Sequence, residues 1–403
     1  MTKHISIIGI GPGGEDLLTV RAHQRIREAE LLIGAQRMLE PFEGLACGKL
    51  TAISPETITE HIRNSGYSRI CVLMSGDTGF YSGAKKLYPL LAGEDVETIC
   101  GISSLQVLAA RLSIPWEDIH LASAHGRNMN IAAFAAAHEK AFFLTGGATT
   151  PQSLCAVLAR CGMGDARVTV ASRLSYEDES IVTGTADQLA GQEFQPLSCV
   201  LVQRVSPPLW GYATGGIDDS LFIRGEVPMT KAEVRCLSIA KLRLHREDTV
   251  YDIGAGTGSF AVEMALAASM GTVWAIERNA EALELIARNR EAFGAWNIAI
   301  AEGEAPLALE GLPAPDAAFI GGSGGRLESI LQSLLTKNPR IRVVINAITL
   351  ETLADSVRML ERLGFTDVDV TQLAVSRARK AGASHMLTAL NPVFIISGQG
   401  GGV

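Results

Sequence analysis

This sequence has little with which to grip a nucleic-acid backbone. Only 19% of its 403 residues are charged, and Asp and Glu outnumber Lys and Arg by 43 to 35, for a formal net charge of −8. Such a balance leaves no basic footprint for phosphates and argues against an enzyme acting on RNA or DNA. Cysteine is sparse too. Seven are scattered without a CxxC pair or a His/Cys cluster at metal spacing, so neither disulfides nor a structural metal is expected. Cys155 and Cys161, on a helical stretch, read as core. No uncharged apolar run reaches the roughly 18 residues that a membrane span needs. The N-terminus passes from a strand into a glycine turn with no small-residue cleavage site, which reads as a cytoplasmic chain without a signal peptide.

What the sequence does have is apolar residues, at 47%, and 41 glycines. A chain of this length implies two domains. The organising stretch is VYDIGAGTGSF, Val250 to Phe260. Val250, Tyr251 and Ile253 read as a buried strand, Gly254, Gly256 and Gly258 as a tight turn with Ala255 and Thr257 between them, and Phe260 to Ala268 as a helix. Glycines remove the Cβ atoms that would hold a ligand away, and the helix start offers free N–H groups. The strand Thr272 to Ile276 ends in Glu277, whose carboxylate can accept from both hydroxyls of a ribose. Glycine turn plus acid points to a nucleoside ligand. The NAD fingerprint is GxGxxG, whereas this turn is GxGxG preceded by Asp252, which resembles the first motif of class I S-adenosylmethionine-dependent methyltransferases.

In the first half, a strand from Ser6 to Ile10 leads into GIGPGG, containing Gly11 and Gly13, and a strand from Arg69 to Met74 leads into SGDTGFYSG. The latter loop carries Gly76, Asp77 and Thr78 beyond a strand's carboxyl end, a usual place for chemistry. Ser103 and Ser104 of GISS start a helix as caps or ligand contacts. ASAHGR, TGG and LSYEDE follow. The order of these segments resembles the tetrapyrrole methyltransferase family, the class III methyltransferases, over residues 1–204. The resemblance implies two α/β lobes with S-adenosylmethionine between them. Carried over by motif, Gly76, Asp77, Ser103, Ser104 and Leu174 contact the cofactor, while Gly11 and Gly13 face the tetrapyrrole.

Residues 205–220 are rich in Pro and Gly and read as a linker, with Trp210 and Tyr212 packing on a neighbouring surface. From Thr249 strands and helices alternate, which implies a parallel sheet covered on both faces. Glu304 and Ala305 of GEAP fall beside the expected adenine position. The loop Gly321, Gly322, Ser323, Gly324, Gly325 offers N–H groups that could hold a carboxylate. Two last strands, Thr366 to Ala374 and His385 to Ser397, should close the sheet as a hairpin, with a basic turn of Arg377, Arg379 and Lys380 between them. That turn reads either as a solvated loop or, if the penultimate strand runs parallel to the rest, as a receiver for an acidic substrate.

PMTKAEV, with Thr230, together with DIGAGTG, GEAP, FIGGSGG, INAITLET and HMLTALNPVFIISG, resembles the decarboxylating precorrin carbon-15 methyltransferases. Glu304 stands where an Asp is common in that pattern. The implied architecture is α/β throughout: a two-lobed class III fold, then a Rossmann-like class I fold over residues 221–403. The implied cofactor is S-adenosylmethionine, one per domain, and the implied partner a small-molecule precorrin, with no nucleic acid and no membrane; a homo-oligomer stays open. The implied reaction adds methyl groups at carbons 5 and 15 of a precorrin with loss of carbon dioxide. No catalytic side chain is assigned, because the nucleophile lies in the substrate. A nicotinamide-dependent oxidoreductase using either glycine turn, and a non-catalytic tetrapyrrole carrier, are the readings of other classes.

Overall fold

The computed structural model describes residues 3–125, 129–205 and 214–402. Gly126 and Arg127 of ASAHGR, and the packing expected of Trp210 and Tyr212, lie outside the described residues. Contacts divide the chain into two compact units, Met1–Asn128 with Lys140–Val205, and Met129–Glu139 with Ser206–Val403. The short segment Met129–Glu139 thus groups with the second unit although it lies within the first half of the sequence.

The first unit holds two five-stranded sheets. One is built from β1 (His4–Gly9), β2 (Leu31–Gly34), β3 (Gly48–Thr51), β4 (Arg69–Met74) and β5 (Asp95–Ile99) in the order β3-β2-β4-β1-β5, all parallel. A parallel sheet covered on both faces needs nearly continuous apolar strands. Accordingly Ile5, Ile7, Ile70 and Val72 pack on one side, and Ile8, Leu32, Cys71 and Leu73 on the other. The second sheet contains β6 (His120–Ser123), β7 (Lys140–Leu144), β8 (Arg167–Ser172), β9 (Ser180–Thr185) and β10 (Ser198–Gln203) in the order β6-β7-β10-β8-β9. Here only β6 and β7 are parallel neighbours.

The second unit is one seven-stranded sheet with a small hairpin. Its strands are β11 (Thr249–Ile253), β12 (Thr272–Glu277), β13 (Ile298–Glu302), β14 (Ala317–Ile320), β15 (Arg342–Ala347), β16 (Phe365–Leu373) and β19 (Val393–Gly400), ordered β13-β12-β11-β14-β15-β19-β16. β19 is antiparallel to both neighbours, so β16 runs parallel to the central strands. The order reverses between β11 and β14, which is where ligands settle in open α/β sheets.

The sheet end differs from expectation. The single strand expected from His385 to Ser397 is interrupted around Pro392, which has no N–H to give to a ladder. Its first part becomes β18 (Ser384–Ala389), which pairs with β17 (Ser376–Ala381) as a separate two-stranded sheet. Arg377, Arg379 and Lys380 therefore stand on a strand of a projecting hairpin, not on a turn. The closing pair exists, but it is β16 with β19.

One charge organises the start of the second unit. Arg235, in the helix Ala232–Leu242, has a fully buried side chain. Its Nε donates to Glu263 at 2.8 Å, Nη1 to Asp219 at 2.8 Å and Nη2 to the Ile217 carbonyl at 2.6 Å. Nη1 also donates to the Thr230 carbonyl, and the Phe222 ring lies 4.8 Å from Cζ. Ile217 and Asp219, within the stretch expected as linker, are buried in this network. Removing one member of a buried ion pair strands the others. Arg235→Met should lower stability by about 3–5 kcal/mol in chemical denaturation of the full chain, and neutralising both carboxylates as well, Asp219→Asn with Glu263→Gln, should recover part of the loss.

Candidate functional site

The strand, glycine turn and helix expected around Val250 to Phe260 form as β11, the turn Gly254 to Gly258 and the helix Ser259–Ala267. Gly254 has φ +74° and its backbone lies against Gly322, so that a Cβ there would stand 3.0 Å from the Gly322 nitrogen. Only glycine allows this approach between the ends of β11 and β14. Glu277 ends β12 with its carboxylate already oriented. Oε2 accepts from the Gly256 N–H at 2.9 Å, and Oε1 from Arg278 and Asn279 N–H at 2.7 and 2.9 Å. Oε2 retains a lone pair for a ligand hydroxyl.

Two cavities meet at this turn, both bordered by Gly254. A cavity of about 250 Å³ gathers Glu277, Glu304, Ala305, Gly322, Ser323 and Gly324. Glu304 there pairs with Arg278 at 2.7 Å and with Arg326. A cavity of about 410 Å³ gathers Thr230, Ala255, Gly256, Thr257 and Gly321. Neither wall includes Gly258, Gly325, Arg377, Arg379 or Lys380. The Gly321 and Gly322 N–H groups both donate to the Ile253 carbonyl, at 3.0 and 3.3 Å. The anion-holding N–H groups expected of that loop reduce to those of Ser323 to Gly325. Arg377 is gripped by Glu233 through a two-pronged contact at 2.8 and 2.7 Å. The chain on either side of the hairpin still reaches the larger cavity, through Leu373, Val375 and Leu390.

The larger cavity also contains residues that sequence reasoning did not single out. Phe260 and Phe319 stack there with ring centroids 3.7 Å apart. Lys231 and Asn346 line it as well, and Asn346 Oδ1 accepts from the Ser238 hydroxyl at 3.1 Å. The signal was present, since Lys231 lies in PMTKAEV and Asn346 in INAITLET. Beneath the turn, Asp252 is fully buried and neither carboxylate oxygen has a hydrogen bond of full geometry. Burial pushes this carboxyl up to about 8, against the pull of the Ala261 backbone N–H and with the charge of Glu277 adding to the rise.

In the first unit the glycine loops are joined backbone to backbone. Gly11 and Gly76 exchange N–H···O bonds at 3.1 and 2.8 Å. Asp77 accepts from Gly79 N–H at 2.8 Å and from Gly101 N–H at 3.0 Å, tying the loop after β4 to the one after β5. A cavity of about 270 Å³ is lined by Pro12, Gly76, Ser104, Thr145 and Leu174. Asp77 and Ser103 do not line it; Ser103 is a buried helix cap in a reciprocal capping box with Gln106. Gly13 is covered by Tyr176, whose ring would lie 2.1 Å from a Cβ at that position. Tyr176, Arg173 and His125 line this cavity and were not foreseen, although Tyr176 lies within LSYEDE.

Among the described residues no helix is long and apolar enough to cross a membrane. Residues 4–190 match the family model of tetrapyrrole (corrin/porphyrin) methylases, and residues 222–399 that of the precorrin methyltransferase domain. The precorrin-6Y C(5,15)-methyltransferase [decarboxylating] of Sinorhizobium sp is 32% identical over 374 residues, covering 89% of this chain and 88% of the relative. The probable cobalt-precorrin-6B C(15)-methyltransferase (decarboxylating) of Pyrobaculum calidifontis is 44% identical over 191 residues, covering 47% of this chain and 97% of its own. A crystal structure of precorrin-6Y C5,15-methyltransferase from Geobacter metallireducens is 38% identical with a TM-score of 0.44, over 47% of this chain and 98% of that one.

The buried acid beneath the turn makes a pH test. Asp252 binds its proton in the folded state up to about 8, whereas an unfolded Asp loses it near about 3.9. Between those values the folded state holds more protons, so this group's contribution to stability falls as pH rises. Thermal unfolding of Asp252→Asn should show a smaller decline between about pH 4 and pH 8 than the parent. Equal declines would mean that Asp252 is ionised when folded.

Proposed function

The chain belongs to the family of decarboxylating precorrin-6Y C(5,15)-methyltransferases, and from that premise we propose how its residues share the work. It is an S-adenosylmethionine-dependent enzyme of cobalamin biosynthesis, located in the cytoplasm. It methylates a precorrin at C5 and C15 with loss of carbon dioxide; the family resemblance implies that the carbon dioxide comes from the ring C acetate and that the product is precorrin-8. Residues 1–204 carry out C5 methylation, and residues 221–403 carry out C15 methylation and decarboxylation, with 205–220 joining them. Each half binds one S-adenosylmethionine. What supports this division is that residues 222–399 match the precorrin methyltransferase domain and that a decarboxylating C(15)-methyltransferase is matched over nearly its whole length by about half of this chain, while each unit has a cavity at its glycine loops.

The residues present fit the cofactor. Glu277, held by three backbone donors, is placed to accept from a ribose hydroxyl. Glu304 and Ala305 border the nucleoside side, and Gly254 and Gly256 let the methionine half pass close to the chain. In the first unit, Gly76, Ser104 and Leu174 supply the corresponding wall. When bound, S-adenosylmethionine supplies an electrophilic methyl group on a sulfonium.

The protein's part is then positioning and exclusion of water. A reduced precorrin has electron-rich, enamine-like meso carbons, so no side-chain nucleophile is needed. Orientation alone reaches effective molarities of about 10⁵ M or more in favourable systems. For decarboxylation the macrocycle is the electron sink, and the protein must desolvate the departing carboxylate. The apolar wall of Phe260, Phe319, Leu373 and Val393 suits that task. A nicotinamide-dependent oxidoreductase would need a GxGxxG turn and an acid ending the next strand; β11 leads into GxGxG instead, and although Gly9, Gly11 and Gly14 have the GxGxxG spacing, the strand that follows them, β2, ends in Gly34 and not in an acid.

Titration calorimetry of the full chain should give two S-adenosylmethionine molecules per chain; one, with both units folded, would remove the cofactor from one half. Gly256→Arg should fill the larger cavity and abolish both C15 methylation and carbon dioxide release. Gly76→Arg should abolish C5 methylation and spare the other two. Carbon dioxide release at the parent rate by a folded Gly256→Arg protein would overturn the division of labour.

A further inference from the structure

The 410 Å³ cavity has a charge inventory that the basic hairpin does not supply. Among the described residues Lys231 is the one charged side chain on its wall, and no carboxylate lines it. The rest of the lining is apolar, glycine, hydroxyl or amide. A tetrapyrrole carrying acetate and propionate side chains brings negative charge into this space. The hairpin is poorly placed to receive it, since Arg377 is already neutralised by Glu233 and none of Arg377, Arg379 and Lys380 borders the cavity.

Lys231 is only weakly engaged within the protein. Its Nζ lies 3.7 Å from Asp219 Oδ2, beyond hydrogen-bonding distance. Asp219 is taken instead by Arg235, through Oδ1 at 2.8 Å. The Lys231 side chain is 44% exposed, so its ammonium can turn to a ligand without breaking a strong bond. Its backbone is fixed: the Lys231 carbonyl accepts from Arg235 N–H at 3.0 Å, and the preceding Thr230 carbonyl accepts from the Arg235 guanidinium. A rigid base with a long unspent arm is an arrangement for anchoring an anion.

We propose that Lys231 receives one side-chain carboxylate of the tetrapyrrole and thereby decides which acetate is lost. The proposal rests on the second unit being the site of decarboxylation. Loss of carbon dioxide breaks the CH₂–CO₂⁻ bond, passes its electron pair into the conjugated macrocycle, and ends with a proton taken up at the former methylene. A carboxylate paired with an ammonium is stabilised against that step, whereas one against an apolar wall is not. Lys231 therefore holds a carboxylate that is kept, and Phe260, Phe319, Leu373 and Val393 face the one that leaves. Lys231 is a specificity-determining residue, and the departing group touches no cation.

The test uses the full-length enzyme with S-adenosylmethionine and its reduced precorrin substrate. Lys231→Met should raise KM for the precorrin about five- to tenfold, leave cofactor affinity in calorimetry unchanged, and weaken the salt dependence of KM. Lys231→Arg should restore most of the affinity, because charge and not packing is at stake. Arg288→Met, which removes an equal charge from the exposed face of another helix, should leave KM as it was. If Lys231→Met does not fold, Lys231→Gln and direct precorrin binding give the same comparison. A folded Met or Gln variant with unchanged KM and unchanged salt dependence overturns the proposal, and so does one that binds more weakly but still loses carbon dioxide from the same single acetate as the parent, read from the product by NMR. So does an Arg variant no better than Met. If Gly256→Arg still releases carbon dioxide, or the parent releases none, it is the functional reading that fails, and that result is separate from the KM comparison.

Discussion

The second unit depends on a single guanidinium kept out of water. Arg235 is fully buried, and an isolated charge there would cost several kcal/mol. It is tolerated because the planar fork finds acceptors on every side: two carboxylates and two carbonyls, with the Phe222 ring nearby. Those acceptors come from different parts of the chain. Ile217 and Asp219 lie on the incoming segment, Thr230 on the loop bordering the larger cavity, and Glu263 on the helix that follows the glycine turn. The second oxygen of Glu263 also accepts from Gly216 N–H at 2.8 Å. One ion thus ties together the incoming segment, the loop that carries Lys231 and the helix that follows the glycine turn.

Each unit also uses one carboxylate as a splint between neighbouring loops. Loops at the carboxyl ends of parallel strands carry N–H groups that no ladder satisfies, and an acid placed among them removes that cost while fixing the loop. Asp77 does so in the first unit by accepting from Gly79 and Gly101. Glu277 does so in the second by accepting from Gly256, Arg278 and Asn279. The consequence differs between them. Glu277 borders a cavity and keeps acceptor capacity for a ligand, while Asp77 is not on the wall of the first unit's 270 Å³ cavity and holds the loops beside it. Preorganisation of this kind suits a reaction whose nucleophile belongs to the substrate, where the enzyme's main task is to hold two reactants in register.

The sequence by itself determined the elements whose logic is local. Strand, glycine turn, helix and acid follow one another within Val250 to Glu277, so their periodicity and spacing were enough to bring Gly254, Gly256 and Glu277 together about one turn, where two cavities meet. The two-half organisation was readable for the same reason, because each half repeats its own alternation of apolar strands and helices. Tertiary structure decided the rest. Arg377 reads in sequence as a free cation, and only the fold brings it onto Glu233, 144 positions away. That the Tyr176 ring lies against Gly13 is likewise visible only in the fold. Lys231, Asn346 and Phe319 share no local pattern. They meet because the order β11-β14-β15-β19-β16 sets the carboxyl ends of β11, β14, β15 and β16 around one opening. Strand order is set by how apolar faces cover one another across the whole sheet, and no window along the chain contains that information.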